Sequence, residues 1–182
     1  MGKIIAIVGM CGSGKSVASD YLESIGFKKI YFGGVTMEKL KEENLEVTPE
    51  NEKYMRERLR KELGMAAYAK ILLPRIVEYS KDSDLVLDGL YSWDEYVVLK
   101  EELGDKLTMV AIVADRKLRY DRLSVREIRP LTHEEALKRD IAEIENLAKG
   151  GPISIADFYS LNNYDKDTYI NELKNILDRI EE

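Results

Sequence analysis

The sequence predicts an α/β fold in which a parallel sheet is covered by helices on both faces. Short apolar, β-branched runs alternate along the chain with helical patterns, and this alternation is typical of βαβ units. A glycine-rich stretch also joins the first apolar run, residues 3–8, to the first helical pattern, residues 17–25. The length of 182 residues favours one domain with insertions over two domains.

Five segments have the apolar, β-branched character of buried strands. They are residues 3–8, 27–32, 84–88, 107–114 and 158–162. In an open parallel sheet, ligands bind beyond the carboxyl ends of the strands. Four residues that follow or end these strands are therefore expected on one rim of the sheet: Gly9, Gly33, Asp88 and Asp115.

Capping and breaking residues predict the helix boundaries. Pro74 falls inside a helix predicted for residues 66–79 and is expected to kink or divide it. The Gly-Gly-Pro sequence at 150–152 predicts a break, and the apolar residues after 167 lie on one face of a final helix. Three helix starts are marked by capping residues: Thr48 before Pro49, Ser92 with Glu95, and Thr132 with Glu135.

Residues 9–16 fit the phosphate-binding pattern G-x-x-x-x-G-K-[ST]. The backbone NH groups of a tight glycine loop converge on one point, and the following helix adds the positive end of its dipole, so the loop binds polyphosphates. Lys15 would reach the outer phosphates, and the Ser16 hydroxyl suits Mg²⁺. The residues predicted to bind Mg²⁺ and ATP are Gly9, Met10, Cys11, Gly12, Ser13, Gly14, Lys15, Ser16 and Val17.

Asp88 closes an apolar strand that should lie beside this loop. A carboxylate there could hold magnesium through water, or accept a proton from the attacking hydroxyl of an acceptor. An aspartate that merely caps the turn at Gly89 is the alternative. Charged groups beside buried strands rarely lack a partner, which favours a functional role. Asp88 is therefore predicted to be catalytic and, with Ser16, to ligate the metal.

The most basic stretch of the chain contains Arg119, Arg122, Arg126 and Arg129, and the first three have the spacing of one helical face. A guanidinium matches phosphate oxygens and keeps its proton, which suits charge stabilisation during phosphoryl transfer. A solvated helix face would also explain the run. Because the chain has a phosphate loop, we predict that Arg122, Arg126 and Arg129 are catalytic residues of a lid over about 122–133.

A charged segment, about 33–65, separates the second and third predicted strands. Its Arg56 and Arg60 could bind the phosphate of an acceptor, or could pair with the many glutamates around them. Gly33 and Tyr91 are the other residues predicted to contact the acceptor. We call residues 33–65 the insertion and predict that it binds the acceptor.

Composition excludes several classes of function. The formal net charge of −6 argues against nucleic-acid binding, which usually needs a basic surface. One cysteine, Cys11, excludes an intramolecular disulfide and agrees with a reducing compartment. No apolar run approaches the length of a membrane span, and the start lacks a signal-peptide pattern. We expect a cytoplasmic protein with a small-molecule partner, no nucleic-acid or membrane partner, and an oligomeric state that the sequence leaves open.

With these residues the chain resembles P-loop kinases of small molecules, in the adenylate kinase-like and dephospho-CoA kinase-like group. Within that group it is most similar to a dephospho-CoA kinase-like family known mainly from archaea. The resemblance covers nearly the whole chain. It implies a P-loop NTPase fold with a five-stranded parallel sheet, a helical acceptor-binding insertion and a short arginine lid.

The resemblance also carries over to two local segments. The Leu-Asp-Gly sequence ending at Gly89 looks like the LDG segment of nucleoside monophosphate kinases, where the carboxylate lies near magnesium and acceptor. Residues 156–157 and 162–163 are similar to the alanine-aspartate and asparagine segment of dephospho-CoA kinases, a region close to the ATP base. Asn162 is therefore expected to bind the nucleotide.

The chain departs from both groups of kinases at the acceptor side. Nucleoside monophosphate kinases continue after LDG with phenylalanine, proline and arginine, where residues 90–92 are Leu-Tyr-Ser. Dephospho-CoA kinases carry a catalytic aspartate after the second strand, where residues 31–36 contain no acid. The leading hypothesis is an ATP-dependent phosphotransferase with a small, nucleotide-like acceptor. The alternatives are a dephospho-CoA kinase proper, and a P-loop nucleotide hydrolase or nucleotide-binding regulatory module without kinase activity.

Overall fold

The computed structural model describes residues 2–181, and within that range five strands form one parallel sheet in the order β2-β3-β1-β4-β5. The strands are Ile4–Val8 (β1), Lys28–Tyr31 (β2), Leu85–Asp88 (β3), Leu107–Val113 (β4) and Phe158–Leu161 (β5). The helices are Lys15–Ser24 (α1), Gly34–Glu42 (α2), Pro49–Leu63 (α3), Ala67–Tyr79 (α4), Trp93–Leu103 (α5), Arg116–Ser124 (α6), His133–Leu147 (α7), Gly150–Ser154 (α8) and Lys166–Glu181 (α9). The predicted fold class and all five predicted strands are confirmed.

Both faces of the central strand β1 are buried. Side chains alternate along a strand, so Ile4, Ala6 and Val8 pack into one core with α2, α3, α4 and α5. Ile5 and Ile7 pack into a second core with α1 and α9. Fully burying one such aliphatic side chain stabilises the fold by about 1.5–3 kcal/mol, so the two cores fix β1 rigidly. Within residues 2–181, no helix is both long enough and apolar enough to cross a lipid bilayer.

The order of the strands places a crevice above the carboxyl end of β1. The chain leaves β1 for the edge strand β2, whereas the later connection from β3 to β4 crosses to the other side of β1. Ligands of open parallel sheets bind where the connections diverge in this way. In the strand register Asp88 lies opposite both Ile7 and Tyr31, so its carboxylate is at the same edge as the glycine loop.

Local capping chemistry determines several helix starts as predicted. Thr48 caps α3, because its hydroxyl accepts a hydrogen bond from the Asn51 amide at 3.2 Å. The capping boxes at the starts of α5 and α7 are both formed. Of the kink or division expected at Pro74, the division is wrong, since α4 is continuous from Ala67 to Tyr79. A proline removes one backbone hydrogen bond, and burial of Leu72 and Ile76 on either side of it holds the helix together.

Two segments differ from what the sequence predicts. Helix α2 forms at the start of the insertion and buries Val35 and Leu40. The sequence does not indicate this helix, because two adjacent glycines lie at its start. Residues 150–152 form the first turn of α8 instead of a plain break. Pro152 is tolerated there because the amides of a first helical turn lack intrahelical partners. The preceding helix α7 ends at Leu147, and Ala148 adopts a left-handed conformation.

Candidate active site

The glycine loop between β1 and α1 has positive φ at Gly9, Gly12 and Gly14, and neighbouring atoms approach most closely at the first and the last of these. Gly9 has φ +146°, and a Cβ atom there would lie 2.4 Å from the Ile112 carbonyl oxygen. Gly14 has φ +101°, and a Cβ atom there would lie 2.1 Å from Nδ2 of Asn162. Left-handed backbone of this kind strains any residue with a side chain. The two glycines therefore determine the shape of the loop.

Three side chains from other parts of the fold hold this loop by its carbonyl oxygens. Asn162 Nδ2 donates to the Ser13 carbonyl at 2.8 Å, and the Tyr169 hydroxyl donates to the Gly14 carbonyl at 3.1 Å. Arg119 Nη1 donates to the Cys11 carbonyl at 2.8 Å. Asn162 directly follows β5, Tyr169 lies in α9 and Arg119 in α6, so the tertiary fold fixes the conformation of the loop.

A cavity of about 390 Å³, which we call the donor cavity, opens beside the loop. Its lining does not include Gly9, Met10 or the fully buried Ser13. Asn162 supports the loop and is also absent from the lining. The predicted nucleotide-binding residues that line the cavity are Cys11, Gly12, Gly14, Lys15, Ser16 and Val17.

Lys15 lies half-buried on the donor cavity wall, and its Nζ donates to the Met10 carbonyl at 3.0 Å. Burial disfavours the charged ammonium, and the nearby cation of Lys149 disfavours it further. Together they lower the pKa of Lys15 to about 8. An anion bound at this wall would favour the charged form, so the environment of Lys15 suits a phosphate ligand.

Asp88 and Ser16 line the same cavity and provide oxygen ligands. Asp88 is 7% exposed, and its Oδ2 accepts a hydrogen bond from Ser19 Oγ at 3.0 Å and lies 3.6 Å from Lys29 Nζ. Mg²⁺ prefers hard oxygen ligands and is often bound by one or two carboxylates together with phosphates and water. In residues 2–181 no group of three or more His, Cys, Asp or Glu side chains could hold a metal by itself. The donor set therefore fits a magnesium ion shared with bound phosphates.

Arg122 and Arg126 also line the donor cavity. Arg122 Nη2 donates to Asn162 Oδ1 at 3.3 Å, whereas its buried Nη1 has no hydrogen-bond partner among residues 2–181. Arg126 Nε donates to the carbonyl of Arg129. An unpaired buried donor costs about 1–3 kcal/mol, so Nη1 of Arg122 is suited to an incoming anion.

The expectation that Arg119, Arg122 and Arg126 share one helical face is wrong. Helix α6 ends at Ser124, so Arg126 lies in the loop beyond it. Arg119 is buried and forms an ion pair with Asp140 of α7 at 2.6 Å. A buried guanidinium needs a charged partner, and that requirement turns Arg119 toward the interior instead of the cavity.

A second cavity of about 500 Å³, the acceptor cavity, adjoins the first. All four residues predicted to bind the acceptor line it, namely Gly33, Arg56, Arg60 and Tyr91. Arg60 stacks 5.8 Å from the Tyr68 ring centroid, and its buried Nε has no hydrogen-bond partner within residues 2–181. The neighbouring Arg58 is directed away and pairs with glutamates on the surface. The insertion therefore places two of its arginines in the cavity.

Arg129 joins the loop after α6 to the insertion. It lines the acceptor cavity, and its Nη2 lies 2.6 Å from Oε1 of Glu52 in α3. Hydrogen bonds from Arg129 hold the pKa of the Glu52 carboxyl below its usual value, although burial opposes the shift. Arg56 lies 3.5 Å from the other oxygen of Glu52. One buried carboxylate therefore connects the arginines of the two segments.

Arg139 and Glu143 of α7, which no sequence pattern indicated, line both cavities, and Lys149, just before α8, lines the donor cavity beside them. Glu143 Oε2 lies 2.6 Å from Lys149 Nζ, and its Oε1 accepts from Arg139 Nε at 3.1 Å. Burial raises the pKa of Glu143, but the cations of Lys149 and Arg139 outweigh it and the pKa is lowered. Lys149 is 2% exposed and lies 4.8 Å from the Tyr91 ring centroid. Arg–Glu spacing of four residues is common on solvated helices, so the sequence offered no distinguishing pattern.

The single histidine lies outside both cavities. His133 is exposed, and its Nε2 lies 3.0 Å from Asp121. Trp93 stacks on Tyr96 with ring centroids 5.2 Å apart and also lines neither cavity. Of the aromatic residues between β3 and residue 181, Tyr91 lines both cavities and the others line neither.

Comparison with known proteins agrees with the fold. A family model described as an AAA domain matches residues 5–143. A UPF0200 protein of Thermococcus gammatolerans is 33% identical over 181 residues, which cover 97% of this chain and 95% of the relative. A solved structure of a shikimate kinase from Bacteroides thetaiotaomicron has a TM-score of 0.58 at 14% identity and covers 99% of each chain. A dephospho-CoA kinase from Campylobacter jejuni has a TM-score of 0.57 at 16% identity, covering 98% of this chain and 97% of the other. At such identities the two structures show the fold alone, and that fold is the P-loop kinase fold predicted from the sequence.

Proposed function

Because this chain belongs to the UPF0200 family and has a P-loop domain of kinase-like fold, we propose that it is an ATP-dependent phosphotransferase with a small, nucleotide-like acceptor. One observation carries the proposal. Two cavities meet at a shared wall, and one contains the phosphate loop while the other is lined by arginines of the insertion and the lid. A nucleotide hydrolase needs only the first cavity, whereas a transferase needs both.

On the donor side, the loop amides and Lys15 would bind the phosphates of ATP. Ser16 and Asp88 would hold Mg²⁺ together with the phosphates, and the ion would neutralise charge that develops during transfer. Arg122 and Arg126, on the same cavity wall, would stabilise the phosphoryl group. Asn162 would act on the nucleotide through the loop that it supports.

On the acceptor side, Arg56, Arg60 and Arg129 supply positive charge to one cavity. Guanidinium groups bind phosphate and carboxylate oxygens in pairs, which favours an anionic acceptor. Tyr68 and Tyr91 add aromatic surface to the same lining, which suits a planar base. The volume of about 500 Å³ is within the range of small-molecule sites and is large enough for a nucleotide.

We also propose that the chain is a single kinase-like domain over residues 1–182, with the insertion at 33–65 and the lid at 122–133. The ion pair between Arg129 and Glu52 supports this division, because it joins the lid to the insertion across the acceptor cavity. Closure of two such segments would exclude water, which otherwise consumes ATP by hydrolysis.

Dephospho-CoA is one candidate acceptor, since a kinase of that name shares the fold. The segment after β2, Tyr-Phe-Gly-Gly-Val-Thr, contains no acid, and Asp88 lies on the donor wall instead. For this reason dephospho-CoA is one member of a panel and not the proposed acceptor.

A coupled assay of ADP release tests the proposal. The purified chain is incubated with Mg-ATP alone, and then with nucleoside monophosphates, dephospho-CoA or phosphorylated metabolites. We expect at least one compound to raise ADP production about tenfold or more above the water background, since positioning of an acceptor accelerates transfer strongly. ADP production that no compound raises would favour the hydrolase or regulatory-module alternative.

A further inference from the structure

Four residues line both the donor and the acceptor cavity: Tyr31, Tyr91, Arg139 and Glu143. In phosphoryl transfer the attacking atom and the phosphorus must approach to about 3–3.5 Å, so the reaction takes place where the two cavities meet. Among these four residues, Glu143 has the one carboxylate. The Glu143 carboxylate therefore lies where the reaction would take place.

The other acidic residue of the donor cavity occupies a different place. Asp88 lines the donor cavity and is absent from the acceptor cavity. Its Oδ2 already accepts a hydrogen bond from Ser19 and lies near Lys29. Asp88 therefore suits the metal side of the reaction, which leaves Glu143 for the acceptor side.

The carboxylate of Glu143 is fixed in orientation and remains ionised. Lys149 and Arg139 each donate to a different oxygen of Glu143. Each carboxylate oxygen has more than one acceptor position, so both can still accept a hydrogen bond from a ligand. Lys149 is almost fully buried, which keeps this arrangement away from competing water.

The charge of Glu143 distinguishes two kinds of acceptor. An acceptor that attacks through a phosphate oxygen is already anionic, so it has little need of a base. A hydroxyl must lose a proton as it attacks, and a carboxylate can accept both its hydrogen bond and its proton. A carboxylate that can accept this proton therefore favours an alcohol.

Building on the proposed kinase activity, we propose that the acceptor attacks through a hydroxyl group and that Glu143 orients this hydroxyl and takes its proton. The hydroxyl oxygen forms a bond to the γ-phosphorus of ATP, and the bond from that phosphorus to the bridging oxygen breaks. The proton passes to Glu143 and then to water, so the products are a phosphate monoester, ADP and one proton. Phosphoryl transfer proceeds through a loose transition state, so orientation by a weakly basic carboxylate suffices.

The substrate class follows from the rest of the cavity. Arg56, Arg60 and Arg129 would bind an anionic group on the same molecule, at a distance from the attacked oxygen. The acceptor is then an alcohol that carries a phosphate or carboxylate. A nucleotide that receives the phosphoryl group on a ribose hydroxyl is one example.

The identity of the product tests this inference. The acceptor found by the ADP-release screen is converted on a preparative scale, and ³¹P NMR distinguishes a phosphate monoester from a phosphoanhydride. If AMP is an acceptor, 2′,3′-dideoxy-AMP, which keeps the phosphate and lacks the ribose hydroxyls, should receive no phosphoryl group. A phosphoanhydride product, or transfer to the dideoxy compound, would overturn the inference while the kinase proposal stands. If no compound in the screen accepts a phosphoryl group, both proposals fail.

Variants of Glu143 give an independent test. Glu143→Gln should lower kcat for transfer about 100-fold, as expected for the loss of a general base, while the Kd of ATP changes less than about twofold. Glu143→Asp keeps the charge beside Lys149 but withdraws the carboxylate by one methylene, and it should also lower kcat. The exposed Glu145 of the same helix provides the control, and Glu145→Gln should transfer at the wild-type rate. Wild-type transfer by folded Glu143→Gln, or by Glu143→Asp if the first variant does not fold, would overturn the role of Glu143.

Discussion

The donor cavity and the acceptor cavity are built by different means. The donor cavity depends on a backbone loop whose shape is determined by Gly9 and Gly14 and whose carbonyls are held by the surrounding fold. The acceptor cavity depends on long side chains from separate segments, such as Arg60 of the insertion and Arg129 of the lid. A backbone loop binds phosphate, a group that many ligands share, whereas a site built from side chains varies with the substrate. The donor side is therefore recognisable from a short motif, and the acceptor side is not.

The largest effect is expected at Lys15. Lys15→Ala should lower ATP turnover by about 10³-fold, because it removes a positive charge aimed at the phosphates. Lys138→Ala, at an exposed position of α7, should leave turnover unchanged and serves as the control. Near-normal turnover in folded Lys15→Ala would refute the assignment of the donor cavity.

The lowered pKa of Lys15 adds a dependence on pH. With a pKa of about 8 in the free protein, Lys15 is charged below that pH and loses its proton above it. The value of kcat/KM for ATP should therefore fall as the pH rises through about 8, since this parameter reports groups of the free enzyme. The fall should be absent from the residual activity of Lys15→Ala. A flat profile to pH 9.5 in the wild type would contradict this account of Lys15.

Asp88→Asn should produce the next largest effect. We expect transfer to fall about 100-fold, because the amide cannot replace a charged magnesium ligand. ATP binding, measured by calorimetry, should persist because the loop amides are intact. Asp82→Asn, at an exposed position before β3, is the control. Unchanged transfer in Asp88→Asn would make this residue a structural cap of the turn.

Arg60→Ala tests the acceptor side separately. Its KM for the acceptor should rise about 10- to 100-fold, in line with the loss of hydrogen bonds to a charged group, with the KM for ATP unchanged. Arg58→Ala, two residues away on the outer face of α3, should change neither constant. An equal rise in both KM values for Arg60→Ala would show that the two cavities do not bind separate substrates.

The smallest effect is expected at the contact between lid and insertion. Glu52→Gln removes the carboxylate that pairs with Arg129, and one partner of this pair is 58% exposed. Such a pair contributes about 0.2–1 kcal/mol, so the ratio of transfer to ATP hydrolysis should fall at most about fivefold. The exposed Glu57 of the same helix provides the control variant Glu57→Gln. A ratio that does not change would mean that this contact has no part in excluding water.

Much of the fold could be predicted because local chemistry determines it. Apolar runs gave the five strands, and the capping threonines and serine gave three helix starts. The helix α2 was missed, since its burial of Leu40 depends on contacts that come later in the chain.

How much of the candidate site could be predicted from the sequence also differs between the two cavities. The glycine loop and Asp88 lie on one cavity wall, as strand order predicts for a parallel sheet. The inward turn of Arg119 depends on Asp140, which is 21 residues away in the sequence. Glu143 lies at the shared wall because α7 lines both cavities, and no local sequence pattern indicates that position.

The fate of the γ-phosphate tests the central claim most directly. The chain is incubated with ATP labelled with ³²P at the γ-position and with each compound that raises ADP release, and the label is separated into organic product and inorganic phosphate. We predict that most of the label enters an organic product in the wild type and that Lys15→Ala transfers almost none. Label that appears only as inorganic phosphate with every compound would contradict the proposal of a phosphotransferase.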